Sequence, residues 1–187
     1  MTVIGCYLGI DPGKEGGLAI ISHDGVLKAW PMPLMPNADG KLVVDEMKAG
    51  KLFLTRIKPA GVAECRIEQV HSMPWDGVAS AFKFGRNAGL LIGLLIAHEI
   101  IFEEIPPETW QKALGIQARQ KPPKFKGKAL INFPPEETKA QWKRRLMESA
   151  LQLFPGHEEI TLETADAVLI AEVTRRMCTG YRGRPIV

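Results

Sequence analysis

Tyr7-Leu8-Gly9-Ile10-Asp11-Pro12-Gly13-Lys14-Glu15-Gly16-Gly17-Leu18-Ala19-Ile20-Ile21 is the stretch from which the rest of the chain can be read. An apolar run over 3–10 ends in a carboxylate, Asp11. Pro12-Gly13 and Gly16-Gly17 then turn the chain, and 18–21 reads as a second strand. A strand holds such an acid rigidly, and a glycine-rich turn keeps side chains away so that a metal or phosphate can approach. Asp-Pro-Gly is also ordinary turn chemistry, so the other acids of the chain decide the matter.

Outward from this stretch, 26–30 reads as a third strand after the His23-Asp24-Gly25 turn, and 31–37, with Pro31, Pro33 and Pro36, as a loop. Helical spacing follows over 45–57, with Gly50 as its weak point. A fourth strand over 62–70 delivers a second acid, Glu68, near its end. The segment 78–98 reads as a long apolar helix, core for most of its length. A fifth strand spans 100–105 and a short helix 108–114, with proline at its first turn. Helices then follow over 136–154 and 161–177, the last with Thr161 as a cap. The order β-β-β-α-β-α-β-α-α-α predicts an α/β fold with a mixed five-stranded sheet flanked by helices.

The 187 residues suit a single domain, 1–187, with a mobile basic loop at about 116–135. With 45% apolar and 24% charged residues, the composition is that of a globular protein. The longest apolar stretch, 88–97, is too short to span a bilayer, so no membrane partner is expected. Met1 leads into a strand-like run without a basic flank, so no signal peptide is expected. Cys6, Cys65 and Cys178 form no C-x-x-C pair, which fits a reducing, cytoplasmic setting. Net charge is only +3, but its distribution is uneven. Arg119, Lys121, Lys124, Lys126 and Lys128 occupy 119–128 without an acid, and Lys143-Arg144-Arg145 and Arg175, Arg176, Arg182 and Arg184 follow. Such clusters suggest a nucleic-acid footprint.

Besides Asp11 and Glu68, Glu163 and Asp166 stand out, three residues apart at the start of the last helix and expected on one face of it. Helix-dipole compensation accounts for either of these two, but not for all four acids together. Buried carboxylates repel one another, and a bound divalent cation is the common remedy. Oxygen-only ligands favour magnesium or manganese. A pair of such ions roughly 4 Å apart can promote phosphodiester hydrolysis.

Gly9-Ile10-Asp11-Pro12-Gly13, Ile67-Glu68-Gln69-Val70, Ala81-Phe82-Lys83-Phe84-Gly85 and Ala165-Asp166-Ala167 together resemble the RuvC-type Holliday junction resolvases. The stretch 67–74 followed by Gly77-Val78-Ala79-Ser80 resembles the RuvC-like proteins of bacteriophages and prophages in particular. The resemblance covers most of the chain except 115–140. It implies an RNase H-like fold, two magnesium ions per active site, with manganese able to substitute, and a homodimer that nicks four-way DNA junctions symmetrically in a bacterial cytoplasm. Asp11, Glu68 and Asp166 match the family's metal-binding acids by position. Glu163 takes a place where family members carry Asp or His. A lysine on the preceding helix acts near the scissile phosphate in the family, and here Lys139 and Lys143 both qualify. Where an aromatic wedge can follow Glu-Gln-Val, this chain has His71, with Trp75 as a second candidate for stacking on DNA. Arg86, Arg119, Lys121, Lys124, Lys126, Lys128, Arg144 and Arg145 are the candidate backbone contacts. Part of the dimer contact is expected on the 78–98 helix.

Three rival readings keep some of these features. Sugar kinases and actin-like ATPases open with similar Asp-x-Gly turns, but need longer chains. A non-cleaving branched-DNA-binding protein keeps the basic loop without the chemistry. A related nuclease acting on flaps, forks or RNA keeps the acids and changes the substrate.

Overall fold

In the computed structural model, residues 5–70, 77–119 and 137–180 are described. His71, Trp75, Lys121, Lys124, Lys126 and Lys128 lie outside these residues, as do Arg182, Arg184 and most of the expected 116–135 loop. The central sheet has five strands: β1 (Cys6–Asp11), β2 (Gly17–Ser22), β3 (Leu27–Pro31), β6 (Val62–Glu68) and β7 (Phe102–Ile105), in the order β3-β2-β1-β6-β7. β1, β2 and β3 pair antiparallel, whereas β6 pairs parallel with both β1 and β7. This is the mixed five-stranded sheet expected from the sequence.

A small hairpin, β4 (Leu34–Pro36) and β5 (Leu42–Val44), corrects the loop expected over 31–37. Its turn is built by Asn37, whose side-chain oxygen accepts from the backbone N–H groups of Asp39 and Lys41, with Gly40 at φ +72°. Proline is tolerated there because an isolated pair leaves its outer N–H positions unpaired.

Strand alternation sends the two faces of the sheet into separate cores. Leu8, Ile10, Cys65 and Ile67 pack with Phe53, Ile57, Leu91 and Leu95 on one side, under α1 (Glu46–Leu52), the π- and 3-10 turns that prolong it to Ala60, and α2 (Val78–Ala97). Ala19, Ile21, Ala29 and Ile105 pack on the other side with α3 (Pro107–Ala113), α4 (Lys139–Leu153) and α5 (Ala165–Thr179). α2 is less buried than expected: of its residues only Ala88, Leu91 and Leu95 are buried, and Val78 and Phe82 in its first half are exposed. No helix among the described residues is long and apolar enough to cross a membrane.

Gly9 decides how closely α5 lies on the sheet. A Cβ at this position would stand 2.2 Å from the Ala167 carbonyl oxygen and 2.3 Å from the Ala171 nitrogen. The backbones of β1 and α5 meet only because residue 9 has no side chain.

Candidate active site

Parallel pairing of β1 with β6 brings their C-terminal ends together. Ile10 lies opposite Ile67, so the next residues, Asp11 and Glu68, end adjacent strands at the same edge of the sheet. Asp11 is buried, and its Oδ1 accepts from the Gly13 N–H at 3.0 Å. Gly16 closes the turn over it: a Cβ there would stand 2.5 Å from the Asp11 carboxyl carbon. The glycines of the opening stretch thus fit the acid, as their spacing suggested.

α5 supplies the third acid. Asp166 is its second residue and is 6% exposed. The last helix starts at Ala165 rather than near 161, and this corrects the expectation for Glu163. Thr164 Oγ1 accepts from the Thr161 N–H and donates to the Glu159 carbonyl, so 161–164 form a turn before the helix. Glu163 lies in that turn and is exposed, off the helix that carries Asp166. Thr161 makes cap-type bonds as expected, but to the turn that leads into the helix: its hydroxyl accepts from the Glu163 and Thr164 N–H groups and its carbonyl from the Ala165 N–H.

α4 settles the geometry of the two lysines. It starts at a capping box between Thr138 and Gln141, which presents Lys143 one turn further in. Lys143 Nζ lies 2.5 Å from Asp166 Oδ2 and 3.5 Å from Asp11 Oδ2. Lys139 instead pairs with Glu15 at 3.1 Å, both exposed.

Glu68 has a partner that sequence reading did not identify. The indole N–H of Trp110, on α3, donates to Glu68 Oε1 at 3.1 Å. The two residues are 42 apart, and the available signal was indirect: α3 directly follows β7, the strand beside β6.

Three acids share one ammonium, and their protonation reflects it. Burial, then Asp11 and Asp166, push Glu68 up to about 8. Burial also raises Asp166 to about 6, against the opposing pull of Lys143. Burial works to lower Lys143, yet Asp166 and Asp11 outweigh it and hold the ammonium charged well above its ordinary range. Asp166 Oδ1 is buried without a hydrogen-bond partner among the described residues. Each of these features marks negative charge short of a cation. Among the described residues no three acidic, histidine or cysteine side chains stand as a ready cage for an ion, the Lys143 ammonium lying between Asp11 and Asp166. The donor set fits a hard divalent cation that retains several waters, as magnesium does.

The candidate DNA contacts fall into two groups. Arg86, on α2, pairs with Glu46 of α1 at 2.5 Å, and Arg144 is exposed on α4. Arg145 grips Glu137 with two bonds of 2.9 Å, donates to the Gln117 carbonyl and lies 4.4 Å over the Trp142 ring. Arg119 donates to the Glu137 carbonyl at 2.8 Å. Arg119 and Arg145 therefore tie 117–119 to the start of α4.

No protein-family model matches the sequence, and no curated protein matches it. Solved structures do. A Thermus thermophilus RuvC structure in complex with a Holliday junction substrate superposes with a TM-score of 0.55 at 15% identity, covering 94% of this chain and 96% of that one. Another Thermus thermophilus RuvC structure gives 0.53 at 16% identity, with the same coverage. The sheet order, the flanking helices and this likeness together give the chain the RNase H-like fold in the arrangement seen in RuvC structures.

Proposed function

We propose that this chain is a RuvC-like, metal-dependent endonuclease that resolves four-way DNA junctions. The observation that carries the reading is the convergence of Asp11, Glu68 and Asp166 around the single Lys143 ammonium. It gains support from a fold shared with a RuvC chain solved on a Holliday junction.

Asp11, Glu68 and Asp166 would hold magnesium or manganese, which when bound supplies the Lewis acidity that phosphodiester hydrolysis needs. Asp11 is oriented for this by its bond to Gly13, and Glu68 by the Trp110 indole. Lys143 neutralises charge that develops on the scissile phosphate, where a buried cation acts more strongly than in water. Its contacts with Asp11 and Asp166 keep the ammonium beside the acids that would hold the metal. Glu163, exposed in the turn before the helix, would assist one of the ions or its bound water. Arg144 and the basic 119–128 stretch bind phosphate without reading sequence.

The finer parts of the proposal are two ions per site, paired symmetric nicks, a single nuclease domain over 1–187, and a homodimer whose contact includes the exposed apolar start of α2. A phage or prophage origin accords with the motif around 67–80.

A gel assay tests the reading, with a labelled four-way junction beside a matched duplex, a flap and an RNA hybrid, with and without magnesium. Paired nicks in the junction alone are expected. Cutting of flaps or hybrids instead removes the junction claim, and binding without cutting in magnesium or manganese removes the nuclease claim.

A further inference from the structure

We propose that Trp110 is a positioning residue that sets which oxygen of Glu68 is offered to the metal. The inference rests on the metal-dependent reading above and adds a residue to it.

The geometry begins with strand register. Glu68 lies opposite Ile105, the last residue of β7, and Pro106 and Pro107 turn the chain at once into α3. The first turns of that helix therefore fold back beside the end of β6 and bring Trp110 to Glu68. The indole N–H claims Oε1 at 3.1 Å, while Oε2 accepts no hydrogen bond among the described residues and is the oxygen offered for a ligand bond. Trp110 is 1% exposed and packed with Ile105, Leu114 and Ile116 in the cluster that also holds Ala165 and Ala167, the neighbours of Asp166. Its ring is thus fixed by the same packing that fixes the base of α5. A donor that cannot move holds the carboxylate in one orientation before the ion arrives.

A buried indole needs some hydrogen-bond partner, and a backbone carbonyl would satisfy it as well. Here the partner is instead a half-buried carboxylate beside two buried acids, where a single donor on one oxygen has most effect on orientation. Groups that hold metal ligands in this way typically change metal affinity by about 10–100-fold when removed.

The test is Mn2+ binding to the full chain, followed by electron paramagnetic resonance, for the wild-type protein and Trp110→Phe, which keeps an aromatic ring and deletes the N–H. About tenfold weaker binding in the variant is expected. Equal affinity in the two proteins overturns the role of Trp110 and leaves the metal reading standing. No binding by the wild-type chain removes the metal reading and this inference with it. Should the variant fail to fold, the wild-type protein alone decides: Mg2+ at saturation is expected to shift the Trp110 indole N–H resonance, and an unmoved resonance overturns the proposal.

Discussion

Lys143 Nζ and Asp166 Oδ2, 23 residues apart in the chain, stand 2.5 Å from each other across the α4–α5 contact. The ammonium also reaches Asp11, so one lysine bridges an acid from the sheet and an acid from a helix. It is the internal counter-charge of a site that carries more acid than base.

Removing that charge exposes the imbalance. Lys143→Met should lower the stability of the metal-free protein by about 3 kcal/mol, the low end for a broken buried pair because the side chain is 21% exposed. Added Mg2+ should restore more stability to the variant than to the wild type. Thermal unfolding in EDTA and in Mg2+ checks this, and an equal Mg2+ response in the two proteins contradicts it.

Asp11→Asn should abolish cleavage while leaving junction binding intact. A direct ligand must matter at least as much as the groups that support ligands, so a loss greater than about 100-fold is expected. Single-turnover cleavage and a gel shift on the same junction separate the two effects.

The metal-free protein should lose stability as pH rises. Glu68 and Asp166 have ordinary values of 4.5 and 3.8 and stand at about 8 and about 6 in the folded chain. Between those limits the folded state binds more protons than the unfolded one, so stability falls from about pH 4 up to about pH 8. Mg2+ favours the ionised acids and should flatten the slope, and its own affinity should rise over the same range. Denaturation midpoints in EDTA across this window, repeated in Mg2+, provide the check.

Gly9→Ala should cost about 3 kcal/mol, since the new methyl would overlap backbone atoms of α5 that have nowhere to go. Any folded fraction should bind metal more weakly, because α5 carries Asp166. Chemical denaturation and metal titration read the two consequences.

Two neighbouring arginines should behave differently. Arg144→Ala should weaken DNA binding, reduce the salt slope by about 1 and leave the melting temperature unchanged. Arg145→Ala should lower the melting temperature, because Arg145 holds Glu137, the Gln117 carbonyl and the Trp142 ring. Salt-dependent binding isotherms beside melting curves distinguish them.

Much of this arrangement was legible in the order of residues. Strand alternation, proline and glycine turns and apolar runs are local signals, and they gave the sheet, its helices and the acids at the strand ends. Where local signals compete, the reading was less good. Thr161 reads as the cap of a helix starting there, but Thr164 bonds back to Glu159 and the turn leaves Glu163 ahead of the helix, which starts at Ala165. The apolar composition of α2 does not tell which of its sides the sheet covers, and its first half extends past the core.

The sequence by itself determined that Asp11 ends a strand beside glycines and that Glu68 ends another, since both follow from short-range periodicity and turn chemistry. Only tertiary structure decided that Lys143 rather than Lys139 meets the aspartates, that Arg145 is bound to Glu137, and that Trp110 reaches Glu68. Those pairings depend on how α3, α4 and α5 dock on one face of the sheet, and that docking depends on packing between segments far apart in the chain, where a missing side chain at Gly9 sets the distance.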